Sequence, residues 1–266
     1  MKDTRHQLRQ GTPRGPGRSG LGRARWVVEP VVLGGGFLLY DAGRLLTRGR
    51  ESAALAHAHT VHRLETALHL PSEAAVQQAL SPVPHLLELA TRYYLTVHFP
   101  AMAVFLVWGL LARPREQYVW ARNLLATVTF LALGLHIAYP LAPPRMFPQW
   151  GFVDTVTTLG SSPYEGATAA LANQFAAMPS LHVGWALVIA VVLWRTAPRL
   201  VGTVAWAHAA ITVLVVIITA NHWWVDEAVA GALLVSALHL FPAPGRTRLP
   251  RHLSAANPRR GKAVAR

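Results

Sequence analysis

Residues 221–226 read Asn221-His222-Trp223-Trp224-Val225-Asp226 and open an otherwise apolar run that continues to about residue 241. On a helix, a histidine and an aspartate four residues apart share one face, about 6 Å apart along the axis, close enough for the carboxylate to orient the imidazole. An ionisable pair beside a membrane span is costly, roughly 2.5–3.5 kcal/mol for an Asp at a helix centre, so such a pair is read as functional. A second histidine, His182 in Met178-Pro179-Ser180-Leu181-His182, opens another apolar segment. Together they point to chemistry on a phosphate.

Working outward, the chain reads as a membrane protein. Of its 266 residues 52% are hydrophobic and 14% charged. The apolar residues come in long runs rather than amphipathic stripes, which excludes an ordinary soluble domain. Candidate spans fall at 26–43, 86–111, 119–141, 182–197, 200–220 and 222–241, most of them near the roughly 20 residues that a bilayer-crossing helix requires. The expected fold is therefore all-α and polytopic, with six transmembrane helices. The first span has the least support, since Glu29 and Asp41 sit near its ends and Gly34, Gly35 and Gly36 lower its helix propensity. With no cysteine, disulfides, thiolate catalysis and thiolate metal sites are excluded.

The net charge of +13 does not read as a nucleic-acid footprint, because the basic residues crowd positions 2–25 and 246–266 and two short loops. By the positive-inside rule both termini are cytoplasmic. Arg113 and Arg115 between spans two and three, and Arg195 and Arg199 between spans four and five, fall on the same side, as an even number of spans demands. Residues 1–25 and 242–266 read as disordered basic cytoplasmic tails flanking a membrane domain over 26–241. A signal peptide over 1–45 is disfavoured, since no small-x-small cleavage pattern follows the apolar run.

The outward segments are then about 44–85, 142–181 and the tight junction near 220–222. Arg145, behind Pro143 and Pro144, joins His182 and His222 there, so three separate turns deliver cationic or titratable groups to one face, an active site on the outer side. Segment 51–80, with Leu55, Val61, Leu64, Leu68 and Val76 among polar residues and Ala, reads as an interfacial helix or helical hairpin on the outer leaflet. His57, His59 and His62 lack the i, i+4 spacing of a helical zinc site, and no cysteine or carboxylate cluster completes a shell. No metal site and no cofactor is expected.

Attack on phosphorus requires a nucleophile, a proton donor for the leaving alkoxide, and positive charge or N–H donors around the non-bridging oxygens. His222 is the candidate nucleophile, with Asp226 holding its other ring N–H. His182 is the candidate general acid. Ser180 caps the helix whose first N–H groups suit an oxyanion, and Arg145 offers a bidentate guanidinium. Asn221, beside the nucleophile, is taken as a further phosphate contact. Read plainly, His222 and Asp226 are a structural pair bridging two helices, Arg145 is a snorkelling anchor, Ser180 is a cap alone, Trp223 and Trp224 belong to an aromatic belt, and His98 and His136 are helix-to-helix hydrogen bonders.

Ala142-Pro143-Pro144-Arg145, Met178-Pro179-Ser180-Leu181-His182 and Asn221-His222-Trp223-Trp224-Val225-Asp226 resemble, in order and spacing, the three signature motifs of the type 2 phosphatidic acid phosphatase superfamily. The likeness, over roughly residues 86–241, is greatest to its branch of inositol phosphorylceramide synthases and bacterial inositolphosphotransferase-like proteins. It implies a six-helix membrane fold and a metal-independent phosphohistidine intermediate on His222, supported by Asp226, with proton donation by His182 and phosphate contacts from Ser180 and Arg145. The lysine of the broad superfamily seven residues before the first-motif arginine is Ala138 here, and Val215-Val216 replaces a Ser-Arg pair. The second motif reads Pro-Ser-Leu-His, as in the synthase-like branch. Fewer cations suit a phosphodiester monoanion better than a phosphomonoester dianion, which favours phosphotransfer from a phospholipid donor. Arg92, near Tyr93, Tyr94 and His98, is a candidate to restore one cation.

The expected function is thus that of a lipid phosphotransferase or phosphatase in the plasma membrane, acting on a phospholipid or a polyprenyl or glycolipid phosphate, with no nucleic-acid partner. A lipid phosphate phosphohydrolase is the alternative within the class. From other classes, a transporter or scaffold would place its ionisable groups near mid-membrane, often with an internal repeat, and a serine protease would need a nucleophile motif that Ser180 lacks.

Overall fold

The structure is a computed structural model that describes residues 18–46, 49–158 and 174–244, which are helical apart from connecting turns and one isolated bridge between Leu141 and Ala176. The helices are α1 (Arg18–Leu45), α2 (Glu51–Ala67), α3 (Glu73–Leu80), α4 (Leu86–Thr96), α5 (His98–Ala112), α6 (Arg115–Ala138), the short α7 (Thr155–Thr158), α8 (Leu181–Thr196), α9 (Arg199–Ile218) and α10 (Trp224–Leu240). Pro114 and Pro198 stand at the N-caps of α6 and α9, where a fixed φ and a missing N–H cost nothing.

α6 packs against α1, α5, α8 and α10, and α8 and α9 form a hairpin. Their apolar faces meet in a core that includes Met102, Phe105, Trp120, Leu124, Val128, Ala186, Val188, Ala190, Ala209 and Leu234. Gly202 permits the α8–α9 approach, because a Cβ there would lie 3.0 Å from the Trp194 backbone. Among the described residues, α6 and α9 are long and apolar enough to cross a membrane, α4 and α5 meet that test together, and α8 is a shorter apolar helix.

Three expectations change. The span expected at 86–111 is two helices bent by 41°. Pro100 is the cause: it has no N–H to donate to the Thr96 carbonyl one turn back, so the α4 ladder ends with the Val97 N–H on Tyr93 O. The basic tail expected to be disordered through residue 25 is helical from Arg18, while 1–17 and 245–266 lie outside the described residues. Glu29 does not weaken α1 but docks it, accepting 2.8 Å and 3.2 Å hydrogen bonds from Arg122 Nη1 and Tyr118 Oη of α6.

Segment 51–80 is a helical hairpin, as expected, but it is folded onto one end of the bundle. Its buried stripe on α2 is Ala54, Ala58, Val61 and Glu65, while Leu55, Leu64 and Leu68 face outward. Small residues rather than leucines make the contact because the hairpin lies close against the 140s turns and the start of α10.

Candidate active site

The end of the bundle covered by the hairpin is where the C-termini of α6 and α9 meet the N-termini of α8 and α10. α9 closes with the Ala220 N–H on Ile217 O at 2.9 Å and the Asn221 N–H on Val216 O at 3.0 Å. This is the pair of hydrogen bonds of a Schellman turn, which places Ala220 in the left-handed region, φ 53°. A non-glycine residue there costs about 1–2 kcal/mol, and the turn holds because its surroundings use it. The Ala220 carbonyl accepts from the Arg145 N–H at 2.8 Å, which ties the first motif to the third.

His222 is therefore not on a helix. It lies in the turn before α10, whose N-cap is Trp223, so the expected stacking of His222 and Asp226 on one helical face is corrected. Asp226 instead accepts from the Trp223 N–H at 2.9 Å and lies 3.4 Å from His222 Nδ1. The shorter contact of that nitrogen, 2.8 Å, is to the Ala177 carbonyl. A carbonyl can only accept, so Nδ1 carries the proton and Nε2 presents the lone pair. Burial holds the His222 imidazolium down, to about 4, against the opposing hydrogen bond to Ala177, and the Arg145 charge adds to the depression. His222 is neutral at ordinary pH.

Ser180 caps α8, its Oγ accepting from the Val183 N–H at 3.3 Å, and its own N–H reaches the Asp226 carbonyl at 3.4 Å. His182, in the first turn of α8, has its ring 6.0 Å from that of His222. Tyr94 stacks on it at 4.3 Å, and His98 lies at the same separation. His136 Nε2 donates to the Pro179 carbonyl at 3.2 Å, bracing the second motif. Arg145 sits in a 3-10 turn (Pro144–Met146), is 5% exposed, and has Nε 3.8 Å from Asp154 Oδ2.

Of the expected phosphate contacts, Arg92 is not brought here, and Asn221, though beside His222, has its amide engaged by the turn. The Arg92 side chain is 69% exposed and pairs with Glu88 at 2.7 Å. It follows from helix geometry: Tyr94 turns toward His182, and two residues earlier the helix faces nearly the opposite way. Asn221 donates Nδ2 to Thr219 Oγ1 at 2.9 Å and to the Thr219 carbonyl, so the amide edge that a phosphate needs is spent bracing the turn. Trp223, expected at the interface, is fully buried with its indole N–H on the Ala142 carbonyl at 3.0 Å.

Sequence reasoning missed His98, Glu65 and Glu73. His98 was signalled by Pro100, which breaks the span and turns the first residue of α5 inward. Glu65 was signalled by its register, in line with Ala54, Ala58 and Val61. Its carboxylate accepts from the Val225 N–H at 2.9 Å, and that of Glu73 from the Trp224 N–H at 3.2 Å.

The arrangement joins a neutral imidazole whose Nε2 carries the lone pair, a second imidazole, a buried guanidinium and a capped helix N-terminus, which is a set able to attack and hold a phosphoryl group. Neither a curated protein nor a solved structure matches the chain. A family model does match, over residues 59–241, and its description is PAP2 superfamily. That stretch holds all three motifs and the α2–α3 hairpin from His59 onward, well over half of the chain, and the chain belongs to the PAP2 superfamily, with the phosphatase or phosphotransferase type of activity that this family carries.

Proposed function

We propose that the protein is a lipid phosphotransferase that works through a phosphohistidine on His222. The observation that carries this reading is the 2.8 Å contact of His222 Nδ1 with the Ala177 carbonyl, which leaves Nε2 as the attacking nitrogen. Nε2 attacks phosphorus and the bond to the lipid alkoxide breaks, with His182, entering the step as the imidazolium beside the anionic phosphate, giving that oxygen a proton and ending as the neutral imidazole. Arg145 and the N-terminus of α8 behind Ser180 hold the non-bridging oxygens. In the second half-reaction His182 takes the proton of an incoming hydroxyl, whose oxygen displaces His222. Asp226 acts by holding the turn and stabilising the charged ring.

A phosphodiester donor, as in an inositolphosphotransferase-like reaction, is favoured by the cation count. Val215 and Val216 lie in apolar clusters with Ile218 and Val183, and Arg92 points away, so Arg145 meets a monoanion rather than a dianion. The reaction needs no metal in this scheme. We place the site at the extracytoplasmic face of the plasma membrane, in a six-span domain over 26–241 with both termini cytoplasmic, from the distribution of arginines and lysines.

The test is lipid turnover by purified protein in liposomes with EDTA present, using phosphatidic acid and phosphatidylinositol in parallel and His222→Ala as control. Diacylglycerol released from phosphatidylinositol only when an alcohol acceptor is added establishes the transferase. Free phosphate from phosphatidic acid establishes the phosphohydrolase. Activity that survives in His222→Ala, or that EDTA abolishes, overturns the mechanism.

A further inference from the structure

The first turn of α10 is held by three carboxyl groups from three different helices. A helix N-terminus exposes N–H groups with no partner inside the helix, and here Trp223 donates to Asp226 of α10 itself, Trp224 to Glu73 of α3 and Val225 to Glu65 of α2. Glu65 and Glu73 are 4% and 3% exposed, and Glu65 Oε2 is buried with no hydrogen-bond donor in reach. The hairpin grips the other side of the same turn as well. Gln77 of α3 donates to the Ile218 carbonyl at 2.9 Å, at the end of α9, while on the α10 side the Trp224 indole donates to the Pro71 carbonyl at 2.7 Å. His222 lies between these two grips.

We propose that Glu65 and Glu73 are positioning residues for His222, through which the α2–α3 hairpin fixes the turn that aims the imidazole. The proposal rests on the reading of His222 as nucleophile. Two buried carboxylates side by side repel, and one proton between them removes the repulsion and supplies the donor that Glu65 Oε2 lacks. Burial, reinforced by Glu73, pushes the Glu65 carboxyl up to about 9, against the Val225 N–H, with Asp226 adding to the rise. Glu73 of α3 and Asp226 of α10 are the charged groups that bear on Glu65. At neutral pH the pair therefore holds its proton and both caps are made. Toward pH 9 the proton leaves, a second negative charge appears in a dry contact, and the hairpin loosens from the turn.

The experiment compares Glu65→Ala with Glu65→Gln in the full chain, in lipid nanodiscs, with two readouts. The first is amide hydrogen exchange of residues 219–227 at neutral pH, which does not depend on any substrate. Protection lost in Glu65→Ala and kept in Glu65→Gln, whose carbonyl still accepts from Val225, is the expected result. Equal protection in both variants and the parent overturns the proposal, whatever the lipid assay shows. The second readout is phosphate release from phosphatidic acid or diacylglycerol release from phosphatidylinositol. Here kcat falls about a hundredfold in Glu65→Ala with KM nearly unchanged, as for a misplaced reacting group. Glu65→Gln restores kcat at pH 7 and removes the alkaline fall near pH 9. Local protection lost with kcat intact, or an alkaline limb unchanged in Glu65→Gln, overturns the positioning role. Silence of the parent protein on both lipids overturns the proposed function instead, and the exchange readout still decides the clamp.

Discussion

The rings of His98 and His182 lie 4.3 Å apart, centroid to centroid, with their planes tilted by 40°. Trp185 stacks on His98 at 5.2 Å, and Tyr94 stacks on His182. The candidate acid is thus packed against two aromatic neighbours that the α4–α5 break delivers, and His98 is placed to fix its orientation. His98→Ala removes the ring that packs on His182. It is expected to slow phosphatidic acid turnover by about tenfold, a fraction of the 10²–10⁴ typical of losing a general acid outright in His182→Ala. With p-nitrophenyl phosphate, whose leaving group needs no proton, both variants should recover much of the rate. An equal loss on both substrates would remove His182 from the acid role.

Burial holds the His222 imidazolium down to about 4 instead of its ordinary 6.5, and in the proposed mechanism this sets the acid limit of activity. The neutral ring is the competent form, so kcat/KM should hold as pH falls from 6.5 and drop only near pH 4. Removing a positive neighbour in Arg145→Gln lets the ring protonate more easily, so the acid limb should move up toward 6.5. The same shift acts on stability. Between 6.5 and 4 the unfolded chain takes up a proton that the folded one refuses, so this contribution is lost as pH falls through that window. A pH–rate series on parent and variant checks the direction, and a limb that stays put or moves down refutes the assignment.

Glu29 and Arg122 join α1 to α6 at 2.8 Å with side-chain exposures of 2% and 18%. Removing one partner strands a buried charge, so Glu29→Ala and Arg122→Ala should each cost about 3–5 kcal/mol. The double variant should cost less than the two single losses added together. Thermal unfolding in one detergent measures all three. Additive losses would mean that the contact carries no coupling.

Four of the apolar helices lie within a few residues of the spans read from the sequence: α6, α8, α9 and α10. A run of apolar residues reports a helix regardless of its neighbours, and Pro114 and Pro198 mark two of the starts. The three motifs were legible for a similar reason, since each sits at a turn beside such a run. What the sequence hid depends on partners. Ala54, Ala58 and Val61 are less apolar than the leucines beside them, yet they make the contact, and Glu65 finds its donor 160 residues away. Arg92 reads as a cation near aromatic residues, but only the helix rotation shows that Tyr94 turns to the site and Arg92 does not. Asn221 belongs to its motif, while its amide is fixed by Thr219, a short-range bond that spacing does not reveal.

Ala220 offers the sharpest test of the turn. Its left-handed backbone costs about 1–2 kcal/mol relative to glycine, and glycine would give up one buried methyl worth about 0.8 kcal/mol. Ala220→Gly should therefore be close to neutral in stability and keep its activity. Ala220→Val puts a β-branched side chain at a positive φ that such residues almost never adopt. The turn must then open, and with it the Arg145 to Ala220 bond and the Asn221 to Val216 bond. The expected result is a loss of turnover of about a hundredfold, together with a lower midpoint of thermal unfolding. A valine variant that matched the parent in both measurements would mean that the third motif does not need this turn to aim His222.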